Sequence, residues 1–536
     1  MNSRVVRTMI IIFVITLVFG VITFSYAYFS MEIKNNSKNI VLSTEELKLK
    51  YTDVSTLSME NALPGDSISK TLIVENIGTK NVSYNIVWKD LINQINYFDL
   101  HLDMKCKSYK NYGTDTQEEY GECKSFYKAI PYTEDKINKD IKRDVEIDIG
   151  VTHVYELTIT FLNRNYPQDE NIGKKFSGRI ELEEYLDNSI YCYSDNEKEY
   201  VSGQYTYTSA GNNGWSVSLT DKTSTDPVNT VLCTYINDRP IVSFYNAFRD
   251  SEAVSIDLGN INTKNVTSMY AMFMNAKATT IDGLESFDTS KVTEMQHMFR
   301  NSNFLSLDLS SFDTSNITSF LCYFFSSKAT YIDVSSFNTR NVTGMGAFFY
   351  NTLVKYIDLS SFDTSSVTSF NSMFWGTNLE YIDLNNFDTS NSTNMGSMFQ
   401  GSNMKYLDLS NFNTSKVTNM GGMFQSSRAT EVVGLDSFDT SNVTDMSNMF
   451  NYSRAINLNL TNFDTLNVTT MYRMFFGNKS NFLDLSSFDI SNVTNMDEMF
   501  KNVSATSGYV KDEETVSKFS DSTVTGIPST LKFITK

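Results

Sequence analysis

One motif, repeated in tandem, constrains this chain more than anything else in it. In a clear copy, Asn403 to Phe424, it reads Asn-Met-Lys-Tyr-Leu-Asp-Leu-Ser-Asn-Phe-Asn-Thr-Ser-Lys-Val-Thr-Asn-Met-Gly-Gly-Met-Phe, and ten copies run from Ala253 to Phe500. A phenylalanine marks each step: Phe287, Phe312, Phe337, Phe362, Phe387, Phe412, Phe438, Phe463 and Phe488, with Ile261 standing in for the first. The step is 25 residues, and 26 on two occasions. A second phenylalanine closes each copy, from Phe273 and Phe299 through to Phe475 and Phe500. A fixed period in the twenties carried this far implies a solenoid.

Within a copy the hydrophobic period changes. Met404, Leu407 and Leu409 fit a Leu-x-x-Leu-x-Leu pattern, with Leu407 and Leu409 alternating as on a strand. Val417, Met420, Met423 and Phe424 then fall on one face of a short helix. The Asn-Thr-Ser or Asp-Thr-Ser between them is turn and helix N-cap chemistry. The expected unit is therefore strand, turn, short helix: a leucine-rich-repeat-like α/β solenoid with parallel strands. One copy cannot stand alone. About seven buried side chains contribute roughly 10–20 kcal/mol, and ordering the backbone costs at least as much at ~1–2 kcal/mol per residue. Stacked neighbours must close the difference. The longer copies carry their extra residue beside Gly283 and Gly434, where a bulge is expected. Ile241–Phe248 matches Val266–Phe273 at an offset of 25 and reads as an end repeat without its strand. All six prolines lie outside the ten copies, as an unbroken hydrogen-bond ladder demands.

The sentence Phe-Asp-Thr-Ser-Asn-Val-Thr-x-Met-x-x-Met-Phe resembles the BspA-like leucine-rich-repeat surface proteins of bacteria and mycoplasmas, over about half of the chain. The tail, with Tyr509-Val-Lys-Asp and Ile527-Pro-Ser-Thr, looks like that family's ending. The resemblance implies a cell-surface or secreted protein that adheres to host proteins or other cells, and it implies no catalytic residues.

At 536 residues, two or three folding units are expected. A net charge of −18 argues against a nucleic-acid backbone as partner. Arg4 and Arg7 precede an uncharged, apolar run from Thr8 to Ser30, and Ser25 and Ala27 suit a cut after Ala27. Residues 1–28 are thus expected to be a signal peptide or a single-pass membrane anchor, and both alternatives stand. The run Ser25-Tyr-Ala-Tyr-Phe-Ser resembles the cleavage region of camelysin-like secreted proteins. Neither a lipobox cysteine nor a Leu-Pro-x-Thr-Gly signal is seen, so attachment by those routes is not expected.

Residues 29–187 read as all-β. Leu47, Leu49 and Tyr51 alternate, as do Tyr84, Ile86 and Trp88, then Tyr155, Leu157, Ile159 and Phe161, then Ile180 and Leu182. Pro64-Gly-Asp-Ser-Ile-Ser-Lys-Thr followed by Val-Glu-Asn-Ile-Gly-Thr resembles the opening of camelysin-type and Ig-like surface sandwiches. A β-sandwich is expected, holding the solenoid clear of the cell. The segment 188–250 is a Cys-bracketed connector and N-terminal solenoid cap, 251–508 the repeats, and 509–536 a C-terminal cap. The five cysteines fit export. Of the three pairings that four cysteines allow, we expect the local one, Cys106–Cys123 and Cys192–Cys233. That leaves Cys322 at the repeat position of Ala271, His297, Ser372 and Gly422, where it reads as a tolerated small residue.

Chemistry-bearing constellations are sparse. His101, His153 and His297 lie far apart, and no metal-ligand spacing, nucleophile elbow, phosphate loop or Cys-x-x-Cys occurs. No enzyme, cofactor or metal is expected; a carboxylate-based glycan hydrolase is a distant alternative. The Asn-Val-Thr and Asn-Ile-Thr triplets at Asn265, Asn316, Asn341, Asn442, Asn467 and Asn492 have the form of glycosylation acceptors, but their fixed place in the repeat points to turn chemistry. If Leu407 and Leu409 point inward, Tyr406 and Asp408 point outward. In register lie Tyr331, Tyr356 and Tyr381, and Asp257, Asp282, Asp308, Asp333, Asp358 and Asp383. Carboxylates ~4.8 Å apart on adjacent strands repel by only ~1 kcal/mol in water. This outward sheet face is the expected binding platform for a protein or glycan on another cell or in the extracellular matrix. Self-assembly into a matrix or envelope is the competing function.

Overall fold

The structure, a computed structural model, describes residues 39–536 apart from 44–47, 53, 96–98, 122, 124, 131, 164–167, 172, 186–188 and 260. The expected signal or anchor at 1–28 lies outside the described residues. Among them, no helix is long and apolar enough to cross a membrane. The chain divides into two compact units, Met1–Tyr185 and Leu186–Lys536.

The first unit contains β1 (Asn39–Ser43), β2 (Lys48–Thr52), β3 (Val54–Glu60), β4 (Ser67–Asn76), β5 (Val82–Asn93), β6 (Leu100–Lys110), β7 (Glu118–Glu119), β8 (Phe126–Ala129), β9 (Thr133–Ile147), β10 (Val151–Phe161) and β11 (Lys175–Glu184). One antiparallel sheet runs β1-β2-β4-β10-β6-β7, with β8 also on β6, and a second runs β3-β11-β5-β9. Alternation decides what they bury. Leu72 and Val74, Leu102 and Met104, and Leu157 and Ile159 from the first sheet join Tyr84, Ile86, Trp88, Phe176, Ile180 and Leu182 from the second in one hydrophobic cluster. Turns fall where short polar side chains close them: the Leu63 N–H donates to Asp66 at 2.6 Å and the Gly78 N–H to Asn76 at 2.9 Å. Cys106 and Cys123 are disulfide-bonded.

The second unit opens with β12 (Tyr191–Cys192), β13 (Glu199–Ser202), β14 (Tyr205–Ser209), β15 (Trp215–Leu219), β16 (Tyr235–Ile236) and β17 (Arg239–Ser243), arranged β12-β16-β17-β15-β14-β13. The Cys192–Cys233 disulfide ties this sheet together, and the Trp215 indole N–H donates to the Ile236 carbonyl at 3.0 Å. From Ser243 onward the chain winds as a β-solenoid. Short parallel strands such as Ser255–Asp257 with Thr280–Asp282, Ser306–Asp308 with Tyr331–Asp333, and Tyr406–Asp408 with Glu431–Val433 pair in register along one side. Along the other runs a row of single parallel bridges, including Ser369–Asn394, Asn394–Asn419 and Asn419–Asp445.

The repeat's second half departs from the expected helix. Gly422 and Ser426 have φ of 64° and 55°, and the equivalent residues of every coil, among them His297, Cys322, Arg473 and Glu498, are also left-handed. Two left-handed residues four apart cannot belong to an α-helix. The Met420, Gly422, Phe424 and Ser426 N–H groups instead donate to carbonyls of the next coil, at 3.0, 2.7, 2.9 and 2.7 Å. Those of Met423, Gln425 and Ser427 reach back three residues and close tight turns. A helix spends its N–H groups internally, whereas a stacked coil needs half of them for its neighbour. Spacing of i, i+3 fits both conformations. α-Helices among the described residues are confined to the C-terminal cap, Glu513–Ser520 and Ser522–Thr525.

Nor do the two longer coils use a bulge. Gly283 and Gly434, at φ 94° and 91°, each launch a 3-10 turn, Leu284–Ser286 and Leu435–Ser437. A Cβ at either would lie 2.5 Å from backbone of the preceding coil, so only glycine fits.

The core of the stack is aromatic. Phe248, Phe273, Phe299, Phe324, Phe349, Phe374, Phe399, Phe424, Phe450, Phe475 and Phe500 form one continuous column, successive ring centroids 5.3–6.0 Å apart. Tyr205 meets its first ring edge-on, and Phe519 and Phe533 cover its last at 5.0 and 5.1 Å. Both ends of the apolar column are thereby kept from water, as a solenoid requires.

Polar residues join the coils. The buried Thr389 hydroxyl accepts from the Asn413 N–H at 2.8 Å and donates to the Asn413 carbonyl at 2.9 Å. Thr263 holds Asp288, Thr289 holds Asp313, and Thr465 holds Asp489 in the same way. The acceptor-like asparagines form another ladder: Asn316, Asn341, Asn442 and Asn467 each donate Nδ2 to a serine carbonyl of the preceding coil at 2.7–2.8 Å.

Candidate functional site

The strand ends position the expected platform. Leu407 and Leu409 are buried, and Tyr406 stands 43% exposed beside exposed Asp408. Asp257, Asp282 and Asp383 are exposed as well, while Asp308, Tyr356 and Tyr381 are half-buried. Tyr331, Asp333 and Asp358 are not exposed at all, at 7%, 2% and 5%. Alternation decides from which side of a strand a residue leaves, not whether that side is covered. Asp308, Tyr331, Asp333, Tyr356, Asp358 and Tyr381 all have interaction partners, and the Tyr331 hydroxyl donates to Asp333 at 3.4 Å. The continuous open ladder predicted from register therefore breaks in the middle coils.

The repeated aspartate also has a local task. Asp408 Oδ1 accepts from the Ser410 N–H at 3.0 Å and its hydroxyl at 2.6 Å, closing the turn after the strand. Asp257, Asp308, Asp333, Asp358 and Asp383 accept the N–H two residues on at 2.8–3.1 Å. Hydrogen bonds from Ser410 hold the Asp408 carboxyl below its ordinary range. In Asp282's coil the 3-10 turn beginning beyond Gly283 closes the corner instead. Among the described residues, no group of three or more His, Cys, Asp or Glu is placed to hold a metal ion.

A second feature lies on the turn edge, at the residue after the closing phenylalanine. In four consecutive coils this residue is Arg300, Phe325, Tyr350 and Trp375, all half-buried. Arg300 lies over the Phe325 ring at 4.7 Å, Phe325 stacks on Tyr350 at 4.2 Å and 5°, and Tyr350 meets Trp375 at 5.0 Å and 48°. Gln400 and Gln425 continue the row. Because ring faces are occupied by ring or guanidinium neighbours, the strip offers mainly edges, the Tyr350 hydroxyl and the end around Trp375. Cys322 and His297 flank it at the left-handed position, where burial pushes the Cys322 thiol up and lowers His297. The strip is visible in sequence once copies are aligned one place beyond the closing phenylalanine, a position outside the core pattern.

The family described as "Mycoplasma protein of unknown function, DUF285" matches residues 242–356, 352–432 and 428–525, more than half of the chain. The chain belongs to the DUF285 family. The DUF285 match begins in β17 and ends with the last cap helix, so it takes in the solenoid and leaves the first unit outside. Both the strand-end ladder and the turn-edge strip fall within it. No curated protein matches the chain. Among solved structures, a leucine rich cell surface protein from Faecalibacterium prausnitzii A2-165 is 11% identical, over 63% of this chain and 95% of that one, with a TM-score of 0.28. That likeness is too loose to build on.

Proposed function

We propose that this DUF285 protein is a cell-surface or secreted binding protein whose solenoid attaches to a protein on another surface. The observation that carries the reading is the Arg300–Phe325–Tyr350–Trp375 strip. Arginine, tyrosine and tryptophan dominate the energy of protein interfaces, and here they are stacked rigidly and left half open. A sugar ring packs on an aromatic face, and these faces are mostly occupied, which favours a protein partner over a glycan. Two disulfides support an oxidising, extracellular setting. The BspA-like resemblance of the repeats points the same way. The first unit, with two antiparallel sheets around one core, is read as an Ig-like or camelysin-like sandwich that spaces the solenoid from its attachment point.

The test is attachment of the purified chain to cells and to arrayed extracellular proteins. Tyr350→Ala with Trp375→Ala should weaken attachment at least about 30-fold, since such anchors are worth ≥ 2 kcal/mol, with the circular dichroism unchanged. Tyr406→Ser with Asp408→Asn should have little effect. The converse pattern would move the site to the open end of the sheet face. Loss of self-association instead of attachment would favour the matrix role.

A further inference from the structure

Beyond protein attachment, we propose that the corner leading into the C-terminal strands binds an anionic polysaccharide, through Lys405, Arg428, Arg454 and Lys479. The three outer residues share one place in the coil: the Arg428, Arg454 and Lys479 N–H groups donate to Ser402, Ser427 and Ser453 of the preceding coil at 3.0, 3.1 and 3.1 Å. They therefore occupy three consecutive rungs, ~4.8 Å apart as in a parallel sheet. Lys405 sits one rung earlier and two residues further along, so it leaves the chain on the same side, and the Thr430 N–H ties its carbonyl into the ladder at 3.0 Å. All four side chains are exposed.

Like charges on adjacent strands destabilise a sheet, and this chain has the means to relieve them, with 62 acidic residues against 44 basic ones. It does so at several places, though not at Lys277 and Lys328, which share this corner singly on separated rungs. Lys355 pairs with Glu380, Arg473 and Lys501 with Glu498, Lys511 with Asp489, and Lys536 with Asp484. Among the described residues, Lys405, Arg428, Arg454 and Lys479 form no ion pair, although Glu380, which Lys355 engages, holds Lys405's place one rung earlier and leaves the three outer residues as the charged core of the run. A run of unneutralised cations on an acidic molecule is complementary to an anion from outside. Four cations in a row fit a linear chain with a charge on successive units, and the guanidinium forks of Arg428 and Arg454 match sulfate or carboxylate groups. A nucleic acid, extending far past four rungs, would meet the repulsion of the remaining surface.

The test uses heparin as a sulfated polysaccharide, neutral dextran, and a DNA oligonucleotide as a comparison polyanion, with the full chain at low and physiological salt. Heparin should bind, dextran should not, DNA should bind more weakly, and added salt should weaken the heparin complex. Arg428→Gln, Arg454→Gln and Lys479→Gln together should cost roughly two- to fivefold per removed cation. Lys277→Gln with Lys328→Gln, basic residues isolated on non-consecutive rungs, should leave heparin binding intact. So should the Tyr350→Ala/Trp375→Ala variant, which separates this inference from the protein-binding one. Equal binding by the triple variant, equal loss in the Lys277/Lys328 variant, or binding of DNA as tight as heparin would each overturn it.

Discussion

Two valine substitutions three residues apart in one coil are expected to act in opposite directions. Ser392 and Thr389 are 0% and 1% exposed. Ser392 occupies the slot that Val367 and Val417, both fully buried, hold in the adjacent coils. Its hydroxyl has no hydrogen-bond partner. An unmatched buried hydroxyl costs ~1–3 kcal/mol, and the added hydrocarbon of valine contributes ~0.8 kcal/mol per buried group. Because the neighbouring slots already hold valine, overpacking should be small. Ser392→Val is expected to stabilise the solenoid by roughly 1–3 kcal/mol.

Thr389→Val keeps the side-chain shape, exchanging only a hydroxyl for a methyl, and is expected to have the opposite sign. It removes the hydroxyl that both accepts from and donates to Asn413, stranding a backbone N–H and C=O between coils. The expected loss is about 1–3 kcal/mol. Urea titration of each variant, followed by far-ultraviolet circular dichroism, gives both signs. A lower midpoint for Ser392→Val would show that the hydroxyl is bonded or the slot is smaller than a valine. An unchanged midpoint for Thr389→Val would refute the threonine clasp as a source of cohesion.

Ala347 is left-handed at φ 53°, so Ala347→Gly should raise thermal stability by up to ~1 kcal/mol despite glycine's greater freedom when unfolded; a drop in Tm would contradict the strain. His153 is buried against Tyr84, whose hydroxyl lies 3.0 Å from Nδ1, and burial lowers its pKa from 6.5 to about 4. Its stabilising contribution is complete above the unfolded value and is lost as pH falls through that window, by ~3 kcal/mol between about pH 7 and pH 4; His153→Gln should flatten that slope in urea midpoints measured across pH. Asn467 spends its Nδ2 on the Ser441 carbonyl at 2.7 Å, so expression in glycosylating cells should leave it unmodified by mass spectrometry, and Asn467→Ala should cost ~0.5–1.5 kcal/mol.

Much of the fold was legible because stacking copies the same demand into every coil. The period, the strand alternation at Leu407 and Leu409, the inward phenylalanines and the end repeat at Ile241–Phe248 all follow from burying one face against an identical neighbour. What failed was the inference from i, i+3 spacing to a helix. Gly421-Gly422, Gly396 and Gly401 argue against a helix on propensity, and left-handed geometry explains Gly401 and Gly422. The extra residue beside Gly283 could be located, but not its form as a 3-10 turn, since bulge and turn place the same demand on glycine.

The strand-end aspartates have a framework role that register alone does not reveal. Strand alternation and register place them outward, yet recurrence in a solenoid reports what every coil needs. Each coil needs its corner closed, and Asp408 closes it through Ser410. Coils accept Arg, Phe, Tyr, Trp and Gln alike at the place after the closing phenylalanine, and Asn, Leu, Lys and Arg at the corner of Arg428. Stacking does not dictate these positions, so a run of one chemistry there is unexplained by the framework. Arg300, Phe325, Tyr350 and Trp375 make such a run, and Arg428, Arg454 and Lys479 make another. Exchanging the strip residues for the Gln of Gln400 should then leave stability nearly unchanged, within ~0.5 kcal/mol beyond the lost ring contacts, while exchanging Asp408 for Ala should weaken the corner. If the strip residues prove as costly to replace as Asp408, they belong to the framework, and the partner must be sought elsewhere on the solenoid.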